Sequence, residues 1–125
     1  MTKAAALYNF WSGFGLPAYE ETSVPTGEDA PAFPYITYQV VTDGFGGDVA
    51  LTASVWYRSE SWLEINAKTE EIVKHLGRGG RVIPCDGGAV WLKRGQPFAQ
   101  SMGDDADNMI RRKYINITAE FLTAV

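Results

Sequence analysis

Cysteine is nearly missing. The 125-residue chain holds one, Cys85, which excludes an intramolecular disulfide and a cysteine-based metal cluster. Histidine is equally scarce: His75 stands alone. A thiol nucleophile at Cys85 would need His75 as its base, yet no orienting group or oxyanion loop accompanies the pair. A structural cysteine and a histidine at a helix end, where the dipole favours a cation, are expected instead. Positive charge is in deficit, with 11 Lys and Arg against 15 Asp and Glu, a net -4. A surface built on phosphate neutralisation needs the opposite balance, so specific nucleic-acid binding is not expected. The only basic run, Arg111-Arg112-Lys113, reads as a solvated strand start whose residues alternate faces. Long apolar runs are absent too. The uncharged stretch from Ala4 to Tyr19 is interrupted by Asn9, Ser12, two glycines and Pro17 and makes a poor membrane span. With no basic-then-apolar leader at the N-terminus, the expectation is a reducing, soluble compartment and no membrane partner.

Motifs for chemistry are sparse. Asp104, Asp105 and Asp107 lack the glycine and closing glutamate of a calcium loop and read as an exposed acidic turn. Gly44-Phe-Gly-Gly47 and Gly77-Arg-Gly-Gly80 lack the spacing of phosphate-binding loops. Asn116-Ile-Thr118 is a chance sequon in mid-strand. No catalytic set, metal set or cofactor motif is found, and the chain is expected not to be an enzyme and to need no cofactor.

What the chain does have is periodicity. Tyr35 to Thr42 alternates, with Ile36, Tyr38 and Val40 on one side. Val49 to Tyr57 alternates with Val49, Leu51, Ala53, Val55 and Tyr57 on one face. Joined by the glycine-rich turn Asp43–Asp48, they predict a β-hairpin. The period then changes to helical: Trp62, Ile65, Thr69, Ile72 and Leu76 form a stripe, with Ser61-Trp-Leu-Glu64 as a capping box and Gly77 as a left-handed C-cap. Thr2 caps an earlier helix whose stripe is Leu7, Phe10, Trp11 and Phe14. Tyr19 to Val24 suggests a short strand. The segment from Pro25 to Pro31 is a polar loop. Arg81 to Pro84 and Ala89 to Lys93 flank the turn Cys85–Gly88, Phe98 to Met102 is a further short strand or arm, and Ile110 to Ala124 is a long strand, dry along Ile115, Ile117, Ala119 and Phe121 and long enough to lie centrally. The order α, β, β, β, α, β, β, β predicts one α+β domain over residues 1–125, a mainly antiparallel β-sheet with two α-helices packed on it.

Several segments, in order, resemble the tail-terminator (tail-completion) and head–tail joining proteins of long-tailed bacteriophages. The resemblance rests on Pro34-Tyr-Ile-Thr-Tyr38, on Val55-Trp-Tyr-Arg-Ser59 directly before a helix, on the helix end Ile72 to Leu76, on the aromatic first helix and on the final strand Tyr114 to Leu122. It spans about residues 33–122. It implies a non-enzymatic structural protein that forms a homohexameric ring, caps the tail tube, ends its polymerisation and offers the head-joining surface. The implied partners are further copies of the chain, the major tail tube protein and a head–tail connector, with DNA passing through the ring. The implied location is the virion tail, after assembly in the host cytoplasm. The candidate interface residues are the apolar tips Trp11, Phe45, Trp91, Phe98 and Met102. The acidic loop at Asp104, Asp105 and Asp107 is the candidate channel-facing segment, where negative charge lets DNA slide. Competing readings are another phage structural component (minor capsid, connector or tube protein), a small-molecule-binding α+β domain, or a host interaction protein.

Overall fold

The longest dry strand face sits in the middle of the molecule. In the computed structural model, which describes residues 1–125, β6 (Ile110–Thr123) pairs antiparallel with β3 (Gly47–Arg58) on one side and β5 (Gly88–Met102) on the other. Beyond β3 lie β2 (Tyr35–Tyr38) and β1 (Ala18–Glu20); beyond β5 lies β4 (Arg81–Cys85). The sheet order is therefore β1-β2-β3-β6-β5-β4, antiparallel throughout except for the parallel β1–β2 pair. Helices α1 (Lys3–Trp11) and α2 (Leu63–Leu76) pack on one face. This is an α+β domain, with the helix and strand order that the periodicity predicts.

The covered face follows from period two. Ile115, Ile117, Ala119 and Phe121 of β6 are fully buried, beside Leu51, Ala53 and Val55 of β3 and Val90 and Leu92 of β5. The helices supply Leu7, Phe10 and Trp11, then Ile65, Ile72 and Leu76. Each of the larger side chains, Val to Phe, contributes about 1.5–3 kcal/mol by leaving water. Buried Thr69 is satisfied within its own helix, donating to the Ile65 carbonyl at 2.7 Å. Lys68 ties α2 to the 3₁₀ turn after α1, donating to the Phe14 carbonyl at 2.7 Å.

Local expectations are corrected at several points. β2 ends at Tyr38 rather than Thr42: it pairs with β3 only over residues 53–56, and residues 47–52 of β3 run beside β6 alone. The first short strand is Ala18–Glu20, not Tyr19–Val24; Glu20 then turns the chain by accepting the Thr22 amide. The capping box is incomplete: Ser61 Oγ accepts the Leu63 amide at 3.0 Å, while the Ser61 amide goes to Ser59 Oγ rather than to Glu64. Gly77 has the positive φ of a cap, 71°, but an extended ψ of 176° that sends the chain straight toward β4. Thr2 does cap α1, accepting the Ala5 amide. The largest difference is β5. The two runs expected at Ala89–Lys93 and Phe98–Met102 are one strand with a bulge. Arg94 pairs Ile117 and Ala99 pairs Ile115, so the intervening residues loop out. Asn116 pins that loop by donating to the Pro97 carbonyl at 3.1 Å, and Gly95 is needed there because a Cβ would sit 2.8 Å from that of Asn116.

Candidate functional site

The helices cover one sheet face and leave the other open. Register brings Tyr35, Trp56, Arg112 and Met102 into one row across it. Tyr35 and Trp56 stack at 6.1 Å, and the Arg112 guanidinium lies 4.7 Å from the Trp56 ring and 5.2 Å from Tyr114. Trp56 Nε1 donates to Thr37 Oγ1 at 2.9 Å, and Arg112 Nε to Ser54 Oγ at 3.0 Å. The arginine thus lies on aromatic rings rather than in free solvent, which changes the expectation of a merely solvated strand start. Arg111 and Lys113 point to the other side and rest on Trp62, at 5.2 and 5.6 Å. Such cation–π contacts contribute about 0.5–1 kcal/mol each at exposed sites.

The bulge in β5 opens a groove of about 590 Å³ against the α2–β4 connection, lined by Arg78, Trp91, Lys93, Arg94, Gln96 and Phe98 together with Gly79 and Gly95. Its volume is within the range of recognition clefts. Trp91 forms a rigid wall: its Nε1 donates to the Gly79 carbonyl at 2.7 Å and Lys93 Nζ sits 4.5 Å from its ring. Lys93 also pairs with Glu120 at 3.0 Å and reaches Asp48 at 3.9 Å. Arg78 and Arg94 are exposed and make no ion pair.

The five expected interface residues do not form one patch. Trp11 is 1% exposed, held in the core by an edge contact with Phe10 at 4.9 Å and a stack on Tyr38 at 6.4 Å. It is a core residue, because its helical stripe faces the sheet. Phe45 is 80% exposed at the tip of the β2–β3 loop. Trp91 and Phe98 both line the groove, while Met102 ends β5 half-buried. The loop with Asp104, Asp105 and Asp107 joins β5 to β6. Phe45 and this loop lie beyond opposite ends of β3; its 12 residues span about 40 Å. Two of the three carboxylates close the loop itself. Asp104 accepts the amides of Ala106 and Asp107, and Asp107 accepts the Met109 amide and pairs with Arg58 at 2.9 Å. The Met109 amide, then Arg58, hold Asp107 below the ordinary carboxylate range. No three His, Cys, Asp or Glu side chains gather as metal ligands.

An exposed tip and a core residue give opposite responses to substitution. Phe45→Ser should change the unfolding free energy by no more than about 0.5 kcal/mol, read from urea midpoints at constant slope. His75 adds a pH response. His75 is exposed, and partial desolvation where its ring meets Phe10 and Phe14, at 5.8 and 5.3 Å, and then the Arg81 charge hold its imidazole below its ordinary 6.5; Glu71 opposes them. The unfolded chain therefore takes up the proton first. The contribution is complete above pH 6.5 and is lost as pH falls through the lower folded value. Urea midpoints should fall between about pH 7 and pH 5, and His75→Gln should flatten that slope. The Asp107 contribution is lost only below its ordinary 3.8, outside this window.

Sequence reasoning missed Arg78, Arg94 and Gln96. A signal for them was present in the order of charges. Residues 18–42 carry Glu20, Glu21, Glu28 and Asp29 with no Lys or Arg, whereas residues 74–94 carry Lys74, Arg78, Arg81, Lys93 and Arg94 against Asp86 alone. The sheet order places the first segment at the β1–β2 edge and the second at the β4–β5 edge. Five strand spacings separate β1 from β4, about 24 Å. The fold and surface thus define an α+β domain with one open aromatic sheet face and two edges of opposite charge. Comparison with models of known protein families, with curated proteins and with solved structures finds no match.

Proposed function

We propose that this chain is a non-enzymatic bacteriophage structural protein, a tail terminator that caps the tail tube as a homohexameric ring, ends its polymerisation and presents the head-joining surface. The observation that carries the reading is the charge division between the two sheet edges. A closed ring needs two different patches on each subunit that meet head to tail, and opposite charges on opposite edges supply such a pair. The sequence resemblance and the open sheet face, with Tyr35, Trp56 and Tyr114 half-exposed, add support, since aromatic residues are enriched at interface centres. Within this reading the ring meets the major tail tube protein on one side and a head–tail connector on the other, and the Asp104–Asp107 loop faces the channel. Cofactors and membranes play no part.

Electron microscopy of tail tubes assembled with and without the protein tests the reading. Tubes of uniform length with a ring of density on one end are expected. Tubes left uncapped and uneven reject it, and long stacks of the protein alone make it a tube component instead.

A further inference from the structure

We propose that the basic groove beside the β5 bulge receives the Glu28–Asp29 turn of a second copy of this chain, so that copies join head to tail. The inference rests on the self-association in the proposed function and names its contact. On the receiving side, Arg78 and Arg94 are exposed and unpaired, and no carboxylate lines the groove. A guanidinium fork binds carboxylate in a bidentate manner and is only weakly hydrated, so two free forks beside a fixed tryptophan favour carboxylate capture. Trp and Arg are also the residues most enriched where interfaces concentrate their binding energy.

On the donating side, the 3₁₀ turn Gly27–Asp29 lies in a run, residues 26–30, that is exposed throughout. Glu28 and Asp29 have no hydrogen-bond or ion-pair partner of their own, whereas nearby Glu20 is committed to Thr22 and Ser23. The turn belongs to the β1–β2 connection and the groove to the opposite edge of the sheet. No subunit can satisfy its own groove across that distance, but a neighbour in head-to-tail order can. A polyanion such as DNA is the weaker occupant. Lys93 is already paired with Glu120, the free cations are two, and the chain as a whole is acidic.

Sedimentation at low ionic strength tests the contact, using Glu28→Arg/Asp29→Arg and Arg78→Glu/Arg94→Glu. All four positions are exposed, and melting curves check that each variant folds. The native chain should associate reversibly, more weakly as salt shortens the screening length. Each reversed pair should weaken association by about 100-fold or more, because like charges are then juxtaposed. Mixing the two variants should restore it, since each keeps one native patch. In a Cys85→Ser background, Asp29→Cys with Arg94→Cys should give disulfide-linked oligomers on oxidation. The proposal is overturned if the native chain stays monomeric up to about 1 mM, or if neither reversal alters association. It is also overturned if only the groove reversal matters, which would assign the groove to another anion. Capped tubes with charge-insensitive rings would reject this contact and keep the terminator reading. Charge-sensitive association with uncapped tubes would do the reverse.

Discussion

Replacing Trp11 by alanine should lower the unfolding free energy by about 3–5 kcal/mol, the range for deleting a large buried aromatic. Domains of ordinary stability hold only about 5–15 kcal/mol in total, so the variant should be largely unfolded at modest urea concentrations. The indole is 1% exposed and touches Phe10, Phe14 and Tyr38. Its removal leaves a cavity under α1 that neither the helix nor the sheet can collapse to fill, because both are pinned elsewhere: α1 by the Thr2 cap, the sheet by its ladders. Trp11→Phe should recover much of the loss. Far-UV circular dichroism during urea titration reads the effect. An interface tryptophan would behave oppositely, leaving the monomer intact and altering only assembly. A Trp11→Ala protein as stable as the native chain would therefore overturn the core assignment.

Gly88→Ala should cost about 3–4 kcal/mol, combining backbone strain with overpacking. Gly88 has φ of 152°, a region that residues with a Cβ rarely adopt, and the added Cβ would lie 2.0 Å from the Leu122 carbonyl oxygen. Neither side of that contact can give easily. Gly88 pairs with both Cys85 and Thr123, so moving it loosens β4 and β6 together. Gly13→Ala is the contrasting control: its φ is not positive and nothing lies within 4 Å of the new atom. It should change stability by less than about 1 kcal/mol. Thermal melts of the two variants separate a glycine that a contact demands from one that merely ends a helix.

These two cases show where sequence reasoning stopped. Cys85–Gly88 was legible as a turn from its composition, but the approach of Leu122, 34 positions further along, was not. Trp11 lay on a stripe with Leu7, Phe10 and Phe14, which made core packing readable; its aromatic character alone suggested an interface. The groove was less accessible still. Arg78, Trp91 and Arg94 belong to a connection, a paired strand and the start of its bulge, and they come together only because β5 outruns β4 beyond Leu92.

The sequence by itself determined the kinds of element, their order and the face each one buries. Periods of two and 3.6 are local properties of a backbone, and Leu51 to Tyr57 or Ile115 to Phe121 express them without reference to any partner. Only the tertiary structure decided the strand order, the parallel start at β1, the fusion of two short runs into β5 and the separation of acidic and basic edges. Those depend on which strands pair and in what register. Pairing is a choice among distant segments, settled by the total burial and hydrogen bonding of the whole sheet rather than by any one stretch of chain.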